Sequence, residues 1–387
     1  MTTPFRPSAV DLARIGADVA PISAIQKKLV ANDSRLKVPD RVAHQYQVGG
    51  GKAQLRIEQT LPANFIGVGL FEPGAQYTGL GRISTGLGCP HLETDPDFLG
   101  LMAAFHTRGG QRVDFITIND PTSPTDIHPQ FIKLLDATAD AAGAKPPFGS
   151  GLGELDLADL AASNLKLVRS LILNLGPVTG VKVAAHVAKQ TLRTAISSTA
   201  YQTYWTGIVE VGGELGKFMF LPVSEENQHR ALTPGERHLT EEWRQRQARG
   251  DIEFTLHWLG FIDEQTTSTT ELTKRWVQQP VAIGRVTFPK IEPADTEAPL
   301  WAALTAELGA NPGNWVADTG NTIPEPGTEF TCARKLAYRN SQAGRGALPE
   351  ADYAHVFSGQ PIGPALTAEL QRRRAAKDAK GHMDMAP

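Results

Sequence analysis

The sequence predicts an α+β protein built on a closed antiparallel β-barrel, with helices inserted between the two halves of the barrel. Three features of the pattern carry that expectation. Apolar residues alternate with period two over residues 53–85 and 99–118, and again over 208–211, 216–221, 252–262 and 281–288. Between these blocks, residues 129–142, 155–175 and 183–197 switch to the 3.6-residue period of amphipathic helices. Short turn signals join neighbouring runs, Arg108-Gly109-Gly110 being the clearest. Two blocks of meandering strands leave open edges unless they close on each other, so a barrel is preferred to an open sheet.

Taken in order, residues 23–31 read as a helical arm ended by Asp33, Ser34 and Pro39, after which a loop delivers Arg41 and His44. Gly49, Gly50 and Gly51 read as turn residues. Over 53–85, Leu55 and Ile57, then Phe65, Val68 and Leu70, are divided by Pro62, Gly67, Pro73 and Gly74 and read as consecutive strands. Helix 155–175 carries Asp156, Asp159, Asn164, Lys166 and Arg169 at spacings that leave an apolar stripe, which suits packing against a core and not spanning a membrane. A further helix, 240–249, follows Pro234 and Gly235. The stretch 372–387 has little apolar periodicity and reads as frayed. The domain reading is thus an N-terminal arm over 1–38, one main domain over 39–365 and a tail over 366–387.

Composition narrows the function classes. The chain has 387 residues, 41% hydrophobic and 20% charged, with 37 Gly and 27 Pro, which describes a globular protein rich in turns. A net charge of -3, from 38 basic and 41 acidic residues, gives no electrostatic footprint for nucleic acid or an anionic membrane surface. The 2 cysteines, Cys89 and Cys332, exclude a disulfide scaffold and a multi-cysteine zinc site and suit a reducing compartment. With no basic start followed by an apolar run over residues 1–14, cytoplasm is the expected location. No histidine pair flanks a glutamate at zinc-binding spacing, no Lys-Ser or Lys-Thr follows the glycine run, and no Gly-x-Ser-x-Gly elbow occurs. Metalloprotease, phosphate-loop and serine-hydrolase chemistry therefore lack support.

What remains is a scattered set: Arg41 and His44, Arg82 and Ser84, Asn119, and Arg334 four residues before Tyr338. Read singly, each has a structural explanation. His44 suits a hydrogen-bonded core histidine, Arg82 and Ser84 a strand end, Asn119-Asp120-Pro121 a turn, and Tyr338 a half-buried helix residue.

Their order and spacing resemble the haem-binding frame of the catalase superfamily, in particular its shorter branch of catalase-related haem peroxidases and allene oxide synthase-like enzymes. Pro39-Asp40-Arg41-Val42-Ala43-His44 is similar to the family segment that carries a propionate-binding arginine and the distal histidine. Arg82-Ile83-Ser84-Thr85 resembles the family's Arg-Phe-Ser-Thr, whose serine holds that histidine. Asn119, closing Asp114-Phe115-Ile116-Thr117-Ile118-Asn119, resembles the distal asparagine. Cys332-Ala333-Arg334-Lys335-Leu336-Ala337-Tyr338 resembles the proximal helix with its Arg-x-x-x-Tyr ligand motif, and Arg345 falls where another haem-facing arginine is found. With Gly216-Lys217-Phe218 and the stretch 276–289 added, the resemblance covers roughly residues 39–346.

The resemblance implies a catalase-like barrel with helices packed around haem b (iron protoporphyrin IX) and Tyr338 as the iron ligand. It implies His44, Ser84 and Asn119 as the catalytic set and Arg41, Arg82, Arg334 and Arg345 as cofactor-binding residues. A phenol ordinarily ionises near pH 10, so ligation as phenolate needs the ferric charge and a nearby cation, and Arg334 lies one helical turn away. Two departures bear on the activity. Ala43 stands where catalases carry valine and allene oxide synthases threonine, and Asp120-Pro121-Thr122-Ser123-Pro124 replaces the aromatic residues that follow the distal asparagine. Both imply a roomier distal pocket. The expected function is a peroxidase or peroxygenase using organic or fatty-acid hydroperoxides and hydrogen peroxide, with an oxidisable co-substrate. The alternatives are a hydrogen peroxide catalase, a fatty-acid hydroperoxide isomerase or lyase, and a non-catalytic haem-binding protein. NADPH is not expected, and the arm resembles those by which family members form dimers.

Overall fold

The computed structural model describes residues 4–86, 88, 93, 97–142, 157–191, 196–223, 238–314 and 327–381. Cys89, Asp156, Pro234, Gly235 and the start of the expected helix 155–175 lie outside the described residues.

Described strands are β1 (Gln47–Ile57), β2 (Gln76–Thr85), β3 (Leu99–His106), β4 (Arg112–Ile118), β5 (Tyr204–Thr206), β6 (Val209–Val211), β7 (Glu214–Pro222), β8 (Ile252–Gly260) and β9 (Val281–Phe288). They form one antiparallel sheet in the order β5-β4-β3-β2-β1-β9-β8-β7-β6, and β5 also pairs with β7. That extra pairing closes eight strands into the expected barrel, leaving β6 as a hairpin arm on β7. The seam is short, with Tyr204 opposite Phe220 and Trp205 opposite Met219. Closure there satisfies backbone groups that an open sheet would leave to solvent.

Side chains alternate across the barrel wall. Phe105, Phe115, Phe218, Phe220, Phe254 and Phe288 point inward and are fully buried. Phe115 packs edge-on against Phe218 and Phe220, at ring-centroid distances of 5.2 and 5.6 Å. A barrel of this size is filled by its own side chains, so a ligand has to sit outside it.

Residues 65–70 are not a strand as expected. Ala63–Phe65 forms a 3-10 turn, and Phe65 caps the barrel end against Phe71 (4.6 Å) and Trp258 (5.1 Å). Its apolar spacing came from plugging a hole, not from a pleat. Gly49, Gly50 and Gly51 likewise lie inside β1 and not in a turn. Trp243 and Thr305 press on the strand where side chains at 49 and 50 would stand.

The described helices are α1 (Ala9–Val19), α2 (Ile22–Asn32), α3 (His128–Ala141), α4 (Leu157–Leu175), α5 (Pro177–Thr191), α6 (His238–Arg249), α7 (Ala298–Glu307), α8 (Glu329–Arg345) and α9 (Pro364–Asp378). Helix α5 begins six residues before the expected start at 183. No described helix is long and apolar enough to cross a membrane. Helices α1, α5's first turns, α7 and α9, and strand β5, were not anticipated. Ser8 and Asp11 open α1 with reciprocal side-chain to backbone bonds, a local signal that was legible.

The boundary expected at residue 38 is not a break in packing. Ile15, Val19, Ile22, Ile25 and Leu29 share one core with Ile132, Leu135, Cys332, Ala333 and Ala337, so α1 and α2 brace α3 and α8.

The expected frayed tail is corrected in the same way. Over 364–378 the chain is helical, burying Leu366 and Leu370 against the core that contains Leu304 and Leu308. Arg373 donates to Gly346 O at 2.7 Å, and Lys377 lies 2.7 Å from Glu307. Two apolar residues four apart are too few to register as a periodic stripe against so many Arg, Lys and Ala. Leu370→Ala is expected to cost about 2–5 kcal/mol in denaturant unfolding. A loss under about 0.5 kcal/mol, typical of surface sites, would show that α9 does not dock.

Candidate functional site

The site forms where α8 crosses the outer wall of the barrel. Thr328 caps α8, its hydroxyl accepting from Thr331 N at 3.2 Å, and Gly346 ends it at φ 61 in the left-handed region. Thr331 also donates its hydroxyl to Ile208 O at 2.7 Å, tying the helix start to the segment beside the barrel seam. Spacings of three and four then put Arg334, Tyr338, Ser341 and Arg345 on one face, and all four line a cavity. Ala333 and Ala337 keep that face low. The Arg334 guanidinium lies over the Tyr338 ring, 5.8 Å from its centroid, and the Tyr338 hydroxyl bonds to no described residue. Arg334 can come this close to the barrel because position 207 is glycine; a Cβ there would sit 2.7 Å from its Nη1.

The facing wall is made by outward residues of β2 and β3 and by the loop before β1. His44 is in that loop at φ 56, a left-handed conformation uncommon for a non-glycine residue. Its N–H donates to Gly86 O at 2.7 Å, and its own carbonyl accepts from Arg82 Nη2 at 2.8 Å. The imidazole rests with Nδ1 3.3 Å from Ser84 Oγ. Gly100, paired with Ser84 across β2 and β3, lies beneath the ring, and a Cβ on it would stand 2.5 Å from Nδ1. Burial pulls the imidazole from its ordinary 6.5 down to about 4; Asp97 opposes this, and Arg82, Arg334 and Arg41 add to it. The ring is therefore neutral at pH 7.

Three further cations meet at one end of the cavity. Arg41 Nη2 donates to Ala306 O (2.7 Å) and Leu308 O (3.2 Å), and Arg345 donates to Glu307 O (3.3 Å) and Leu308 O (2.8 Å). These carbonyls are the C-terminal end of α7, where a helix presents partial negative charge. Arg82 is held by Gln47 Oε1 at 3.0 Å and Gln45 O at 2.9 Å. Among the described residues no carboxylate lies within 4.0 Å of Arg82 or Arg345, and Arg41 has only Asp40, at 3.7 Å. Burial and then Arg41 lower the Arg345 pKa to about 9, and burial and then Arg41 depress that of Arg82 strongly. Burial raises the Asp40 carboxyl, but Lys377, Arg41 and Arg345 outweigh it and hold it at about 2. The cluster is short of anions on the side that faces the cavity.

The cavity measures about 250 Å³, against the roughly 10–15 Å³ needed by one water on that measure, so it is of ligand size. Ala43 lines it, and so do Asp120, Pro121, Thr122, Ser123 and Pro124, the residues at which the sequence departs from catalases. Asn119 does not. Its Oδ1 accepts from Leu99 N at 2.7 Å and its N–H donates to Leu99 O at 2.9 Å, so it ends the β3–β4 ladder. Its side-chain oxygen is held by backbone, and the residue is not part of the cavity lining. Arg41, His44, Arg82, Ser84, Arg334, Tyr338 and Arg345 are brought together as expected. Sequence reasoning missed Gly100, Gly207, the α7 carbonyls and the buried Lys217; a glycine inside an apolar strand, as in Leu99-Gly100-Leu101, was the available signal for the first.

Comparison with solved structures identifies the architecture. A bacterial catalase aligns with a TM-score of 0.57 at 19% identity, over 85% of this chain and 61% of that one. The fold is that of catalases. Catalase A from Saccharomyces cerevisiae aligns at 0.54 and 14% identity, over 86% of this chain and 65% of that one. A fungal catalase gives 0.54 and 14%, over 86% and 63%. The chain thus spans less than two thirds of the length of each. No protein-family profile and no curated protein matches it.

Two outcomes follow from the His44 surroundings. NMR titration of the His44 ring should show a midpoint near 4. Because the unfolded ring takes up a proton near 6.5 that the folded ring refuses, stability should fall as pH drops from 6.5 towards 4. Gly100→Ala should destabilise the fold by about 1–3 kcal/mol through the clash with the imidazole, and should move the His44 midpoint. An unchanged midpoint and stability would show that the ring does not rest on Gly100.

Proposed function

We propose that this chain is a haem-dependent oxidoreductase that uses peroxides, acting as a peroxidase or peroxygenase on organic hydroperoxides as well as hydrogen peroxide. The observation that carries the reading is one cavity, on a catalase fold, holding a neutral buried imidazole on one wall and on another a phenol with no hydrogen-bond partner among the described residues. The cavity suits haem b on chemical grounds. Among the described residues Arg82 and Arg345 have no carboxylate within 4.0 Å and Arg41 has only Asp40, so two propionates would supply the missing anions, and Arg82 Nη1 has no hydrogen-bond partner there. Tyr338 would hold the iron, with the Arg334 guanidinium lying over its ring. When bound, the haem supplies the redox-active iron at which the peroxide O–O bond is cleaved.

The protein's own contribution is proton management and shape. Neutral His44 Nε2 can take the proton of an incoming hydroperoxide and return it to the departing oxygen. Ser84 at Nδ1 and the closeness of Gly100 fix the ring plane, so the base need not reorient between the two transfers. Ala43 and the 120–124 loop leave room for a substituent on the peroxide. Asn119 is not assigned to the step, because it does not line the cavity.

Hydrogen peroxide dismutation is the second reading, favoured by the intact His44–Ser84 pair. Hydroperoxide isomerisation or cleavage would use the same pocket. Oxygen evolution from hydrogen peroxide separates the first two: vigorous evolution with negligible oxidation of a co-substrate would make the chain a catalase. His44→Ala should lower turnover with an alkyl hydroperoxide by about 10²–10⁴-fold. An unchanged rate would remove His44 as the catalytic base, and absence of turnover in the haem-loaded wild type would make the chain a haem carrier without catalysis. Turnover should stay level as pH falls from 7 and drop only as pH approaches 4, where His44 protonates; an inflection near 6.5 would contradict the buried base. Tyr338→Phe should lose bound haem or its ferric tyrosinate spectrum, and retention of both would remove Tyr338 as the ligand.

A further inference from the structure

The chain has 41 acidic residues in 387, yet none falls between residues 160 and 209, where Lys166, Arg169, Lys182, Lys189 and Arg193 stand. A nearly neutral whole thus contains a cationic segment. Helices α4 and α5 occupy most of it, joined by Gly176 alone, which turns the chain at φ 80. Gly180 lets α5 lie against the backbone of Leu171 and Ile172, since a Cβ there would stand 2.8 Å from it. The inner face of the pair, with Leu167, Leu171, Val183 and Val187, packs on Leu134, Ala137 and Ala141 of α3.

The outer face is apolar at the turn and basic behind it. Leu173, Val178 and Val181 are 74%, 68% and 52% exposed, and Pro177 between them is exposed as well. Leu173 shares a side of α4 with Arg169, four residues back, and Val178 shares a side of α5 with Lys182, four residues on. At about 1.5 Å per residue, Arg169 and Lys182 stand roughly 10 Å from the turn, Lys166 about 15 Å and Lys189 about 20 Å. Leu165, also exposed, is about 16 Å back and is not part of the tip. Among the described residues none of these four cations is ion-paired: Asp136 and Asp140 of the adjoining α3 are held by Lys28 at 2.8 and 2.5 Å, and Lys166 acts on Asp140 only at longer range.

We infer that the α4–α5 turn docks the protein on an anionic lipid surface. Leu173, Pro177, Val178 and Val181 enter the boundary between head groups and acyl chains, and Arg169 and Lys182 meet the anionic head groups. Apolar faces enter that boundary by about 5–10 Å, which is the distance at which those two cations stand behind the turn. Each cation near such a surface is worth about fivefold in affinity. A second copy of this chain is a poorer occupant, because a twofold contact through the tip would bring the basic residues of both copies together. Docking of this kind needs no helix to span the bilayer, and it does not depend on the peroxide reading.

The test follows full-length protein by flotation with vesicles of phosphatidylcholine alone and of phosphatidylcholine mixed with phosphatidylserine. Wild type should bind the mixed vesicles about tenfold or more tightly, and rising salt should shrink that difference. Arg169→Gln with Lys182→Gln should remove the preference for phosphatidylserine. Leu173→Ser with Val178→Ser should weaken binding to the mixed vesicles about tenfold. All four positions are exposed, so both variants should fold as wild type does, and Val10→Ser, at a similarly exposed site on α1, should bind as wild type. Equal binding of wild type to the two kinds of vesicle overturns the proposal, and so does binding unaltered in both double variants. A dimer in size-exclusion chromatography that Leu173→Ser with Val178→Ser dissociates, with vesicles left unbound, would overturn it too by making a second copy the occupant.

Discussion

Keeping three guanidinium groups on one wall of a cavity is the constraint around which the site is arranged. Arg41, Arg82 and Arg345 repel one another and lose hydration, so their backbone partners have to be in place before any ligand is. The end of α7 provides part of this, because its last carbonyls accept from Arg41 and Arg345 together. Behind them Asp40 and Glu307 carry the compensating charge, and Lys377 of α9 lies 3.8 Å from the first and 2.7 Å from the second. The charges alternate outward from the cavity, from arginine to carboxylate to the cations of α9. Only the innermost layer lacks an anion, and that is the layer a ligand would complete.

The barrel supports this arrangement by being full. Its aromatic interior excludes ligand, so the outward residues of the same strands are free for chemistry. One strand thereby serves two purposes: in β2, Ile83 belongs to the core, while Arg82 and Ser84 face the cavity. Rigidity follows, since moving Ser84 relative to His44 would mean shearing the start of the β1–β2 ladder and breaking the bond from His44 N–H to Gly86 O. Two glycines, Gly100 and Gly207, set how near the imidazole and the Arg334 guanidinium approach that wall.

Much of the fold was legible because its signals are local. Period-two runs located β2, β3, β4, β7, β8 and β9, and the Arg108-Gly109-Gly110 turn marked the β3–β4 hairpin. What was missed was either too short to show a period or apolar for another reason. Strand β5 has three residues, too few to alternate, yet it closes the barrel. Phe65, Val68 and Leu70 looked like a pleat and turned out to plug an end. Helix α9 is amphipathic by only two buried leucines, and its contribution depends on Glu307, some seventy residues earlier in the chain.

The same division holds within the site. The sequence by itself determined which residues share a face, because helical and strand periods are properties of a few consecutive residues: Arg334, Tyr338 and Arg345 on one side of α8, Arg82 and Ser84 on one side of β2. The resemblance carried by the ordered motifs nominated His44 alongside them. Only the tertiary structure decided which nominated groups remain available. Asn119 lies off the cavity with its side-chain oxygen accepting from Leu99 N, whereas the Tyr338 hydroxyl lines it and bonds to no described residue. Lys217, ordinary in sequence, becomes a buried cation with donors to spare. Availability depends on burial and on partners distant in sequence, and those exist only once the helices have closed over the outside of the barrel.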